Sequence, residues 1–276
     1  RELDLTDQRA VNRFFERNRP DFIFLLAARV GGIMANDRRP VDFIYPNLLI
    51  ECNVMHCACR ARVKRLLFLA CACVYPRDCR QPMKEEYLLT GYPEPTNVAH
   101  AVAKISGIVL CRSFNKQFHT DFIPCVAANI FGPHDNFDPL GGHVAAGLIR
   151  KFHEAKCAGL PKVVLWGTGK PRRDFIFVDD VADACMFIIK RGSPELVNIS
   201  AGSDVSIKEL AQLVKGVVGY KGKIEFDPAR PDGMPRKLLD STRLSSRGWK
   251  PKTDIKKGLE ITYQWYVSSA YAGNRR

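Results

Sequence analysis

Ten cysteines are the first residues in this chain that could do chemistry, and six of them fall between Cys52 and Cys79. They include two C-x-C pairs, Cys57/Cys59 and Cys71/Cys73. A tetrahedral zinc site is usually built from C-x2-C pairs with a second pair further along. Neither pair has that spacing, and the first falls in a helical pattern, so no metal site is expected. No basic-then-apolar leader is visible, so the thiols read as reduced and intracellular. A free thiol titrates near about pH 8.5, and a neighbouring cation lowers that toward a working range.

The charge balance points to an anionic partner. Lysine plus arginine total 42 against 29 acidic residues, a formal net charge of +13. The basic residues are scattered, and the charge suits a phosphate-bearing small ligand as well as nucleic acid, or plain solubility; no aromatic-basic motif backs nucleic acid, and none is expected as a partner. Apolar runs such as Leu66 to Val74 are far short of the ~18 residues of a membrane-spanning helix, and no membrane association is expected. A chain with 46% hydrophobic and 26% charged residues is not globally disordered.

The elements that must position any site alternate between strand and helix. Unbroken apolar runs at Phe22 to Ala27, Arg65 to Ala70, Asp121 to Ile130 and Lys162 to Trp166 suit strands covered on both faces. Helical stretches lie between them at Val41 to Arg62, Asn97 to Phe118 and His143 to Ala158. This alternation predicts an α/β fold, a doubly wound parallel sheet of Rossmann-like type. Pro46 interrupts the first helical stretch and is expected to kink it at a cost of ~3 kcal/mol unless the helix starts there. Further on, Phe175 to Asp179 and 197–200 read as strands, with Asp179 or Asp180 capping a helix from Val181 to Arg191. Ser206 and Glu209 have capping-box spacing at the head of an amphipathic helix running to Gly219. A strand at 223–227 and a closing helix from Thr253 to Ser268 complete a smaller α/β lobe. The Gly31-Gly32 pair after the first strand is not a G-x-x-G-x-x-G turn, and the one such spacing in the chain, Gly216 to Gly222, ends a helical pattern rather than joining a strand to a helix. The opening RELDLTD reads like the middle of something, so an upstream first strand and glycine-rich turn are expected.

Seven stretches in order carry a resemblance: LLAARVGGIMAN (25–36), DFIYPNLLIECNVMH (42–56), KRLLFLACACVYP (64–76), EPTN…AVAKISG (94–107), NIFGPHDNF (129–137), WGTGKPRRDFIFVDD (166–180) and PDGMPRKLLD (231–240). From Glu2 to about Tyr266 the chain resembles the GDP-L-fucose synthase branch of the extended short-chain dehydrogenase/reductase family. The resemblance implies a dinucleotide-binding domain over 1–139 and a substrate-binding lobe over 140–276, with 174–200 returning to the sheet. It also implies NADP as cofactor, a GDP-sugar substrate, a homodimer and a cytoplasmic location. The implied reaction is 3,5-epimerisation and 4-reduction of GDP-4-keto-6-deoxy-D-mannose.

The resemblance also implies the site residues. In the family a tyrosine and a lysine four residues apart share one helix stripe and serve the reduction. Lys104 matches the lysine, and His100 stands at the tyrosine position. Cys71 stands where the family has a serine that holds the substrate carbonyl. Cys73 and His143 match the base and acid of epimerisation. Ala27 and Ala28 match small residues beside the cofactor backbone, and Asn129 a loop on the nicotinamide side, with Lys104 and His143 also on the cofactor. Lys151, Trp166, Arg173, Asp232 and Lys237 match the substrate contacts, Arg173 as the bidentate partner of the diphosphate. His100 and Cys71 depart from the family pattern and leave a second reading open: a catalytically impaired relative that binds a nucleotide sugar.

Overall fold

The computed structural model describes residues 3–138, 142–193, 195–230 and 232–269. The strands are β1 (Phe22–Leu25), β2 (Arg65–Cys71), β3 (Phe122–Ala127), β4 (Asn129–Phe131), β5 (Lys162–Trp166), β6 (Arg172–Phe177), β7 (Val197–Ile199), β8 (Asp204–Ser206), β9 (Lys223–Asp227) and β10 (Arg236–Lys237). The helices are α1 (Gln8–Asn18), α2 (Ile33–Arg38), α3 (Val41–Arg60), α4 (Val98–Phe118), α5 (Val144–Cys157), α6 (Val178–Arg191), α7 (Ile207–Val218), α8 (Thr242–Ser245) and α9 (Ile255–Ser268). The chain forms two units: Arg1–Ala127 with Ala182–Ile199 and Asp240–Trp249, and Ala128–Val181 with Ser200–Leu239 and Lys250–Arg276. The boundary expected between 139 and 140 lies outside the described residues, as do Arg1 and Glu2.

The first unit is built on a parallel sheet in the order β1-β2-β3-β7. Parallel neighbours need a crossover, and α3 and α4 supply it between β1, β2 and β3. This is the expected Rossmann-like arrangement. All six residues of β3 are buried, and Leu66, Leu67 and Phe68 of β2 are wholly so, which is why these strands read as continuous apolar runs. Burying one such side chain contributes about 2–3 kcal/mol. α3 runs through Pro46. The proline withholds one N–H from the ladder, yet the helix continues because its far half packs on α4.

The second unit holds β10-β6-β4 with β8 antiparallel on β6, and a separate parallel pair of β5 and β9. Its core gathers Phe131, Phe137, Ile149, Phe152, Phe177, Leu210 and Tyr266. The capping box at α7 is present: the Ser206 hydroxyl accepts from Glu209 N, and the Glu209 carboxylate accepts from Ser206 N.

Three local expectations are corrected. The run from Asp121 to Ile130 is two strands, not one, because the chain leaves the first sheet at Ala127 and β4 pairs with β6 instead. The strand expected at Phe175 to Asp179 is Arg172–Phe177, and the helix begins at Val178. Asp179 and Asp180 therefore sit inside the first turn, where a carboxylate suits the helix dipole, rather than at the cap. Asp180 accepts from the backbone N–H groups of Lys252 and Thr253, each at 3.0 Å.

Candidate active site

The C-terminal end of a parallel strand is where α/β folds present ligand-binding residues. β2 ends at Cys71, and a single 3-10 turn over Ala72–Val74 carries Cys73. The two sulfurs lie 2.9 Å apart. α4 brings His100 against them, with Nε2 at 3.6 Å from Cys71 Sγ, and the three side chains offer ligand-type atoms within 4.8 Å of one another. A hydrogen bond from Cys73 holds the Cys71 thiol well below its ordinary range, helped by His100 and opposed by burial.

The hydrogen on His100 is placed by its neighbour. Asn47 accepts from Arg29 N at 2.7 Å through Oδ1 and donates through Nδ2 to the Phe43 and Arg29 carbonyls at 2.7 and 3.0 Å. That network orients the amide, and its nitrogen faces His100 Nδ1 at 3.3 Å. An amide nitrogen cannot accept a hydrogen bond, so this contact favours the tautomer with Nδ1 bare and the hydrogen on Nε2, toward Cys71. A metal on Nε2 would drive that hydrogen onto Nδ1, against the Asn47 amide nitrogen, which cannot accept it. The donor set is arranged to hold a proton rather than a cation.

One turn along α4, Lys104 is buried with Glu51 of α3: Nζ lies 3.3 Å from Oε1, with the side chains 4% and 1% exposed. The ammonium also lies 4.6 Å from the Phe68 ring centroid. Burial pushes the Glu51 carboxyl up to about 7, with Lys104 pulling the other way. Gly107 makes this packing possible: a Cβ there would lie 2.4 Å from Phe68 Cζ and 2.8 Å from Glu51 Oε2. Ala27 and Ala28 follow the end of β1, the first exposed and the second half-buried.

In the second unit, the substrate residues expected from sequence fall into two groups. Lys151 of α5 donates to the Val164 carbonyl at 2.5 Å, on the strand that ends at Trp166. Beyond Trp166, Asp232 accepts from Thr168 N and Thr168 Oγ, both at 2.7 Å. Gly167 sits at φ 77° with the Asp232 carboxylate where a side chain would be. Arg173 and Lys237 form the second group, directly paired across β6 and β10. Neighbouring Arg172 is tied to Asp204 and Glu209, while Arg173 donates to the Arg172 carbonyl at 2.8 Å. Asn129 donates to the Asp174 carbonyl at 2.8 Å. His143 occupies the N-cap position of α5, with Nδ1 3.9 Å from Asp135 Oδ1.

Residues 1–200 match the family model described as the NAD dependent epimerase/dehydratase family. The chain belongs to that family. It is 50% identical over 269 residues to GDP-L-fucose synthase 1 of Arabidopsis thaliana, covering 97% of this chain and 83% of that protein. It is 47% identical over 278 residues to GDP-L-fucose synthase of Escherichia coli, covering 97% and 87%. Among solved structures, a GDP-L-fucose synthetase from Naegleria fowleri bound to NADP superposes with a TM-score of 0.89 at 30% identity, covering 99% of this chain and 84% of that one.

Within this family member, Asn47 and Glu51 are the site residues that the sequence reading missed. Their signal was present: two polar residues four apart in the otherwise apolar stretch from Phe43 to Cys52 share one helix face. A buried carboxylate needs a partner, and Lys104 is it.

Proposed function

We propose that this chain converts GDP-4-keto-6-deoxy-D-mannose to GDP-L-fucose, by epimerisation at C3 and C5 and NADPH-dependent reduction at C4. One observation carries the reading: Cys71, Cys73 and His100 cluster at the end of β2, with Lys104 one turn along α4 from His100, in a chain 50% identical to a GDP-L-fucose synthase along 97% of its length.

The residues suit the nicotinamide end of NADPH. The Lys104 ammonium is buried and ion-paired, yet it makes no hydrogen bond among the described residues, so it has N–H donors to offer a ribose hydroxyl. The small side chains of Ala27 and Ala28 leave backbone accessible past β1. When bound, NADPH supplies the hydride for C4.

The protein's own groups handle the protons. In the epimerisation Cys73 passes its proton to the Cys71 thiolate beside it and, as the thiolate, removes a proton next to the ketone, and His143 is the acid that returns one. For the reduction, the His100 Nε2–H is the proton donor to the C4 oxygen, and Asn47 keeps the hydrogen on that nitrogen. Lys104, fixed by Glu51, holds positive charge one helical turn away. Arg173 and Lys237 take the diphosphate, with the guanidinium offering two parallel N–H groups. Trp166 offers an exposed aromatic face, and Asp232 holds the turn that presents it.

The working form in this proposal is a homodimer in the cytoplasm, acting on a GDP-sugar without nucleic acid. No described helix is long and apolar enough to cross a membrane. The test uses the purified chain with GDP-4-keto-6-deoxy-D-mannose in deuterated water. Label at C3 and C5 without NADPH, lost in Cys73→Ser, together with NADPH oxidation when cofactor is added, is the expected result. The absence of both label and NADPH oxidation would overturn the reading.

A further inference from the structure

We propose that Cys71 and Cys73 form a thiol-modification site, which a low-molecular-weight disulfide oxidises to an intramolecular disulfide. The sulfurs already lie 2.9 Å apart. A disulfide bond is about 2.05 Å, so closure asks for less than about 1 Å of movement. Cys71 has the character of the attacking group. It is half-buried and accepts hydrogen bonds from the Cys73 thiol and the His100 Nε2–H. Burial pushes Cys52, Cys57, Cys59, Cys79, Cys111, Cys125 and Cys185 the other way, toward the unreactive thiol.

The chemistry balances in two exchanges. The Cys71 thiolate attacks one sulfur of the external disulfide RSSR, forming Cys71–S–SR and releasing RS⁻. Cys73 gives its proton to that thiolate and attacks Cys71 Sγ, breaking the mixed disulfide and releasing a second thiolate. Overall, two protein thiols and RSSR become one protein disulfide and two RSH. Nothing else is oxidised or reduced. The closed form has no thiol at position 73 to move a proton. Closure stands on the dithiol geometry, whether or not Cys73 acts on a sugar.

The probe is oxidised glutathione on the reduced full-length chain, followed by acid quench, alkylation of remaining thiols and tryptic mapping. Leu66 to Arg77 forms one tryptic peptide carrying both cysteines. The expected product is this peptide two hydrogens lighter and closed to alkylation, formed at least tenfold faster than adducts at exposed Cys52 and Cys157. Cys73→Ser is expected to stop at the glutathione adduct on Cys71, and His100→Gln to slow closure at least fivefold. A peptide still doubly alkylated once Cys52 and Cys157 carry glutathione would overturn the proposal. So would closure at an unchanged rate in His100→Gln.

Discussion

Lys104 and Glu51, 53 positions apart in the chain, bury an ammonium and a carboxyl 3.3 Å from each other. The pair joins α3 to α4 directly beneath His100, so the residue proposed to donate the proton stands on a charged foundation.

The Glu51 carboxyl is raised from its ordinary 4.5 to about 7, chiefly by burial. The folded state therefore keeps a proton that the unfolded state releases. This group's contribution to stability is full below about pH 4.5 and is lost as pH rises through about 7, a change of roughly 3 kcal/mol. Glu51→Gln does not titrate, so its stability falls by that much less across the same window. Urea midpoints at about pH 4.5 and about pH 8 measure the difference; parallel curves for the two proteins would contradict it.

Gly107→Ala places a methyl group against the Phe68 ring and the Glu51 carboxylate. Both neighbours are buried and packed, so one must shift. A loss of about 1–3 kcal/mol is expected. Thermal or urea unfolding reads it directly, and a variant as stable as the parent would show that α3 and β2 can give way there.

His100 is assigned to the reduction alone. His100→Ala is expected to lower NADPH oxidation by about 10²-fold or more while deuterium exchange at C3 and C5 continues. His100→Tyr, which places a phenol one helical turn from Lys104, is expected to raise reduction above the parent. Equal loss of exchange and reduction in His100→Ala would place this residue in positioning the substrate instead.

Asp232 holds the Trp166 turn through two bonds from Thr168. Removing them in Asp232→Ala loosens the turn without touching the cysteines. The expected result is a KM raised severalfold with kcat nearly unchanged, the pattern of lost uniform binding. A fall in kcat with KM unchanged would show that the segment acts in the transition state.

Much of the framework was legible because local rules decide it. Ser206 and Glu209 capped a helix from sequence alone, since both halves of that bond lie within one turn. β2 and α4 followed from an unbroken apolar run and a helical pattern. The run 121–130 was not divisible by eye, because two buried strands in different sheets carry the same apolar composition. Asp179 and Asp180 were read as a cap because acidic residues favour both the cap and the first turn, and the ladder starting at Val178 decides between them.

By itself the sequence determined the parallel α/β class, the family, and the residue types able to move protons or meet a diphosphate. These depend on composition, period and motif order, which are properties of the chain read in line. Only the tertiary structure decided that Cys71 and Cys73 touch, that Asn47 places the hydrogen on His100 Nε2, and that Glu51 is the partner of Lys104. The last two join α3 to α4 across 53 residues, while the first is set by the turn that follows β2. They are enforced by burial, which makes an unpaired charge or an unoriented amide costly once water is gone.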